Sequence, residues 1–213
     1  MSEDGRFVAF ECPDGNLGPI GGNRANDVFV RDLSLATTEL ISVRDAALPS
    51  YVGNGASLCS GHVFSADGRY VAFGSEAGNL VANDTNGFQD VFVRDLVVGT
   101  NLLVSVSTNG LSPGDGLSRD PVVSADGRYV AFSSMAGNLV PGDTNRSEDV
   151  FVRDMQAGTT LLVSVNTNGT GPGNLDSYSP QLSSDGRWVV FRSVSQVFRC
   201  VRVFVLDRTV FSW

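Results

Sequence analysis

Two short strings keep step along this chain, and their spacing constrains the fold more than any other feature. Asp-Gly-Arg begins at Asp4, Asp67, Asp126 and Asp185, at intervals of 63, 59 and 59 residues. Asp-Val-Phe-Val-Arg-Asp begins at Asp27, Asp90 and Asp149, at intervals of 63 and 59. A degraded fourth copy, Arg-Val-Phe-Val-Leu-Asp, begins at Arg202, 53 residues further on. The 213 residues are therefore four copies of one unit. A sustained period of this kind marks a repeat architecture, in which each unit buries its apolar faces against its neighbours.

The best copy runs from Ser118 to Gly169 and divides into four short segments. The first lies around Pro121 to Ser124. A tight turn through Ala125-Asp126-Gly127 follows, suited to residues that tolerate turn conformations. The second segment is Tyr129 to Ser133. A long polar loop, NLVPGDTNRSE, leads to the third, Val150 to Arg153. A short turn at Ala157-Gly158-Thr159 leads to the fourth, Leu161 to Val165. Short runs of β-branched and aromatic residues between turn signals read as strands, and no helical period is evident. Four antiparallel strands per repeat is the pattern of a propeller blade. Both faces of a blade pack on neighbours, which accounts for the unbroken apolar VFV and YVAF runs. The alternatives are a linear β-array or a sandwich of hairpins.

The predicted fold class is all-β: a β-propeller of about four four-stranded antiparallel blades. It forms a single domain with units at 1–55, 56–114, 115–173 and 174–213. The first blade is incomplete, because no first strand precedes SEDGRFVAF. Closure comes either within one chain or by oligomerisation, since unpaired edge strands recruit partners. The fourth copy replaces the long polar loop with SVSQVFRC and is expected to be the most irregular.

Composition narrows the function. The net charge of −8 repels a phosphate backbone, so nucleic acid is not expected as a partner. All 15 basic residues are Arg, which excludes lysine Schiff-base and P-loop lysine chemistry. Gly is 24 of 213, above a usual share of roughly 7%, as a fold with many tight turns requires. No apolar run approaches the roughly 20 residues of a membrane helix. No signal peptide is visible at the N-terminus. Cys12, Cys59 and Cys200 lack a CxxC neighbour and read as small buried hydrophobes.

The SADGRYVAF strings at Ser65 and Ser124, with the variants SEDGRFVAF and SSDGRWVVF, and the DVFVRD strands resemble the TolB-like, WD-repeat-like β-propeller repeat of bacteria. The longer NLVxxDTNxxxDVFVRD form is similar to the version in multi-copy exported bacterial proteins. The resemblance covers nearly the whole chain. It implies a scaffold for protein contacts and a periplasmic or extracellular setting, and it implies no reaction. The chain departs from the pattern at Gly21 and Gly22, which replace Asp-Thr, at Leu206 in place of Arg, and in the deleted fourth loop.

The turn aspartates Asp67, Asp126 and Asp185 are expected to cap their own turns. Arg94 with Asp95, and Arg153 with Asp154, are expected to pair with each other or with adjacent blades. The candidate metal ligands are Asp84, Asn86 and Asp90, and likewise Asp143, Asn145 and Asp149. Hard oxygens at alternating positions suit Ca²⁺, although the spacing is not that of an EF-hand. The competing role for these side chains is to bind loop amides as Asx-turns. His62 is the single histidine and reads as a loop residue, with no triad or zinc set around it. Tyr51, Phe88, Tyr178 and Trp213 stand outside the repeated aromatic positions and either pack at blade edges or face a sugar. Asp115, Asp120 and Asp176 do not recur as repeat markers. They are the acids a carbohydrate-active propeller, hydrolase or lyase, would have to bring together. The leading expectation is a non-enzymatic scaffold whose partner is another protein or a second copy of itself, with no catalytic residues, and with carbohydrate as the alternative ligand.

Overall fold

The computed structural model describes residues 1–13, 17, 25–47, 53–194 and 202–205. Every regular element among them is a β-strand. The first sheet holds β1 (Phe7–Cys12), β2 (Asp27–Asp32) and β3 (Thr37–Leu40). The second holds β4 (Ser57–Leu58), β5 (Tyr70–Ser75), β6 (Asp90–Asp95) and β7 (Thr100–Leu103). The third holds β8 (Ser118–Val123), β9 (Tyr129–Ser134), β10 (Asp149–Asp154) and β11 (Thr159–Leu162). The fourth holds β12 (Ser177–Leu182), β13 (Trp188–Ser193) and β14 (Arg202–Val205). Within each sheet consecutive strands pair antiparallel, and successive sheets pack face to face as blades. The propeller is open rather than closed.

Among the described residues the blades are four, and the second and third show four strands. The first shows three there, in line with its incomplete sequence copy. The fourth shows three among the described residues. The strand bounds also shift from expectation. The last strand of the third blade begins at Thr159, because Thr159 and Thr160 already pair with Asp154 and Arg153.

Both faces of the central strands of the second and third blades are buried, and this explains the apolar runs. Ala72, Val91 and Val93 of the second blade share a cluster with Val130, Phe132 and Phe151 of the third. Val71, Phe73 and Phe92 share another with Val28 and Val30 of the first. A third cluster joins Ala131, Val150 and Val152 to Val189 and Phe191 of the fourth. Adjacent strands pair Phe with Phe: Phe73 lies 5.7 Å from Phe92, and Phe132 5.8 Å from Phe151. Burying one such side chain contributes about 2–3 kcal/mol.

The leading strands carry the irregularities. β8 and β12 each contain a bulge, between Arg119 and Val122 and between Tyr178 and Gln181. Asp120 and Ser179 adopt a φ of 54° there, each just before a proline that cannot donate to the ladder. In the second blade the strand is broken. Ser57 to Phe64 spans seven positions against five from Ser118 to Val123, although both ends keep equivalent partners. Two extra residues loop out, so only the Phe64–Val71 bridge resumes the pairing. In the fourth blade Phe191 opposes Arg202, where the other blades oppose Phe to Phe. With the long loop deleted, β14 sits two residues out of the expected register, a shift that preserves the alternation of faces.

Candidate functional site

The DGR turn and the DVFVRD strand meet at one end of each of the first three blades. Ser65 donates its hydroxyl to Asp67 and accepts from the amide of Tyr70, while Asp67 also accepts from the amide of Arg69 at 3.0 Å. Ser124–Asp126 and Ser183–Asp185 repeat this self-capped turn, as expected for these aspartates. The arginine of the same turn then reaches across the blade. Arg69 forks onto both oxygens of Asp95 at 3.1, 3.1 and 2.7 Å. Arg6 holds Asp32, and Arg128 holds Asp154, in the same way. Asp95 also caps the amides of Val97 and Val98. Each of these arginines lies over the neighbouring aromatic ring, at 4.6 to 4.8 Å. The Arg6 guanidinium pulls the Asp32 carboxyl down to about 2, and Arg69 and Arg128 lower Asp95 and Asp154.

The VFVRD arginines therefore do not take the aspartates beside them. Arg94 reaches Glu39 of the preceding blade at 3.1 Å, and Arg153 donates to Thr160. The bidentate Arg–Asp pairs escaped the sequence reading. Their signal was the constant offset of 26 residues between partners.

At the opposite end lie the Asp-Thr-Asn loops. Asp90 is fully buried. It accepts from the Ser105 hydroxyl at 2.6 Å and from the Asn86 amide at 2.6 Å. Asn86 also donates to the Gly114 carbonyl, and its own carbonyl accepts from the Phe88 amide. Asn145 and Asp149 repeat the arrangement with Ser164, Gly173 and Ser147. Burial raises Asp90 to about 7, Asp149 to about 6 and Asp84 to about 6. Burial also raises Asp143. The structure thus brings each trio into one loop, with its Asn amide turned to its second Asp as a donor. Among the described residues no three His, Cys, Asp or Glu side chains converge in a metal-holding group.

The remaining candidates are dispersed. Asp115 accepts from the Gly137 amide and Asp176 from the Glu148 amide, while Asp120 occupies the β8 bulge. Phe88 is exposed and Tyr178 half-buried. His62 is an exposed loop residue whose carbonyl accepts from Val123. Cys12 and Cys59 are half-buried, and burial raises the Cys59 thiol to about 11. Tyr51, Trp213 and Cys200 lie outside the described residues.

A cleft of about 450 Å³ opens between the first and second blades, at the end that carries the Arg–Asp pairs. Arg6, Asp32, Glu39, Asp67 and Arg69 supply its charges, and Phe7, Val30, Leu35, Leu96 and Val97 its apolar wall. Asp115, Asp120 and Asp176 do not line it. Two of its aliphatic lining residues are exposed, Leu35 at 67% and Val97 at 75%.

A scan against protein-family profiles and a search of curated proteins return no match. Solved structures do match. TolB from Agrobacterium tumefaciens superposes with a TM-score of 0.55 at 18% identity, over 95% of this chain and 58% of its own. TolB from Acinetobacter baumannii gives 0.52 at 17% identity, over 98% and 42%. The β-propeller domain of the Trilobed protease from Pyrococcus furiosus, described as having an open velcro topology, gives 0.50 at 12% identity, over 96% and 52%. This chain spans about half the length of the structures it matches. Identities this low speak for the fold alone, and that fold is a TolB-like β-propeller.

Proposed function

We propose that this propeller is a non-enzymatic scaffold that binds a protein partner in the cleft between its first and second blades. The observation that carries the reading is the pair of exposed aliphatic side chains lining that cleft, Leu35 and Val97. At the seam between the second and third blades the corresponding positions are Val98 and Gln156, so the aliphatic pair is not repeated there. Contiguous exposed apolar side chains rimmed by charge are the usual signature of a protein-binding surface. The Arg6–Asp32 and Arg69–Asp95 pairs hold both walls rigid, and their charges favour a complementary polar rim.

The test compares wild type with Leu35→Glu/Val97→Glu as bait for cross-linking in envelope extracts of the producing cell. A partner captured by wild type and lost from the variant supports the reading. Equal capture by both, or no partner for wild type, overturns it.

The Asp84/Asn86/Asp90 and Asp143/Asn145/Asp149 sets are proposed as internal braces, since their Asn amides already serve the second Asp and the carbonyls of Gly114 and Gly173. Thermal melts with excess Ca²⁺ and with EDTA are expected to coincide. A rise of several degrees in Ca²⁺ alone would assign these six residues to calcium instead.

A further inference from the structure

Four Asn-Gly dipeptides lie outside the strands, at Asn54, Asn86, Asn109 and Asn168. Asparagine before glycine is the least hindered setting for cyclisation, because no Cβ shields the glycine amide from the side-chain carbonyl carbon. The amide must be free to attack, and the ring must have room. These two conditions separate the four dipeptides. The Gly110 and Gly169 amides are tied to the carbonyls of Ser107 and Asn166 at 2.9 and 3.0 Å. Gly55 is wedged against the Glu76 backbone, with its Cβ position 2.6 Å from that carbonyl. Gly87 meets neither obstacle. Its amide donates to no group among the described residues, and nothing lies within 4 Å of its Cβ position.

The Asn86 side chain is also turned toward that amide. Its Oδ1 accepts from the Phe88 amide at 2.9 Å. This Asx-turn curls the side-chain carbonyl back over the Gly87 peptide and draws electron density from Cγ, the atom to be attacked. Gly87 is exposed and holds a φ of 72°. The third blade has Asn145-Arg146 at the same place, at a φ of 55°, and there the arginine Cβ shields the amide.

We propose that Asn86 is a spontaneous modification site, at which the Gly87 nitrogen closes on Cγ and Nδ2 leaves as ammonia. The new Cγ–N bond replaces the Cγ–Nδ2 bond, and the proton lost from the Gly87 amide is balanced by the one ammonia gains. Water then opens the cyclic imide at either carbonyl. One opening leaves aspartate, and the other leaves isoaspartate, with the main chain rerouted through the side chain.

Neither product can make the contacts of Asn86. Nδ2 donates to the Asp90 carboxylate at 2.6 Å and to the Gly114 carbonyl at 2.9 Å. A carboxylate only accepts. Two buried acceptors therefore lose a donor, and a like charge arrives beside Asp90. Gly114 lies in the connection from β7 to β8, so the reaction unties the third blade's entry from the second blade's loop. At Asn109, by contrast, Oδ1 accepts from the Leu111 and Ser112 amides, a role that aspartate keeps. The joint between the second and third blades thus loosens with age, while the matching brace at Asn145 lasts. This inference is independent of the cleft.

The test is a time course of the purified chain in mildly alkaline buffer at body temperature, mapped by peptide mass spectrometry. Asn86 is expected to convert ahead of Asn54, Asn109 and Asn168, to both aspartate and isoaspartate. The melting temperature is expected to fall as it converts. Asn86→Asp supplies one end state and is expected to melt about 4–8 °C below wild type. Gly87→Arg copies the third blade and is expected to stop conversion at Asn86 while leaving Asn109 as it was. The wild-type course decides the site without any variant. Asn86 staying intact, or converting after Asn109 or Asn168, overturns the inference. An Asn86→Asp chain that melts with wild type overturns the untying of the joint.

Discussion

Asp90 and Asp95 stand five residues apart at the two ends of β6, and their surroundings push them in opposite directions. Both are buried, at 0% and 5% exposure. Asp90 meets only neutral donors, the Ser105 hydroxyl and the Asn86 amide, with Asp84 nearby, so loss of water dominates and its carboxyl rises to about 7. Asp95 meets a full positive charge in a bidentate geometry and two turn amides, so its carboxyl falls. Asp149 and Asp154 repeat the contrast, as do Asp27 and Asp32. Burial by itself does not decide the state of a carboxyl; the charge of the groups that solvate it does.

The sharpest way to break this contrast is Asp90→Ala. It strands the Ser105 hydroxyl and one Asn86 N–H in the interior, and each unsatisfied group costs about 1–3 kcal/mol. A loss of about 3 kcal/mol or more in urea unfolding is expected. Full stability in this variant would show that Asp90 carries no network.

The pH dependence comes next. A carboxyl whose folded value is raised stabilises fully below its unfolded value near 3.8, and that contribution is lost as pH rises toward 6 to 7. The lowered carboxyls act in the opposite sense. Their contribution is present above 3.8 and lost as pH falls toward about 2, the value for Asp32. Stability is therefore expected to peak near pH 4–5 and to decline toward pH 8 by a few kcal/mol. Urea midpoints across that range measure it. Asp90→Asn removes one source of the decline and flattens the alkaline side. A variant with the slope of wild type would place the titration elsewhere.

Asp95→Ala removes the Arg69 fork and both turn caps. Arg69 is 39% exposed, so solvent screens much of the pair, and the capped amides account for most of an expected loss of about 2 kcal/mol. This loss should persist at pH 8, where the wild-type Asp90 contribution is already gone. The smallest effect is in the first blade's outer turn. Ala36 holds a φ of 54° where Gly99 and Gly158 occupy the equivalent sites. Ala36→Gly relieves left-handed strain at some entropic cost. It is expected to raise the melting temperature by about 1–2 °C. A fall would mean that the turn is not strained.

The repeat made most of this fold legible, because turn and strand strings recur at fixed spacing and each copy reinforces the others. The self-capping role of Asp67 and Asp126 followed from local chemistry alone. The Arg69–Asp95 fork did not, because its partners belong to different motifs joined only when β5 and β6 pair. The Ser105–Asp90 contact was hidden for the same reason, although its offset of 15 residues recurs at Asp27–Ser42 and Asp149–Ser164. The aliphatic edge of the cleft lay outside the repeat markers, and only its exposure drew attention to it.

The amino-acid string alone determined the all-β repeat, the blade count and the position of each tight turn. These depend on local propensity and on apolar runs that must be buried on both faces. The tertiary structure decided which carboxyls are held ionised and which are pushed toward the neutral form, and which arginine each aspartate receives. Those outcomes depend on donors, charges and faces that come together only when separate strands and blades pack, and no single stretch of sequence contains both partners.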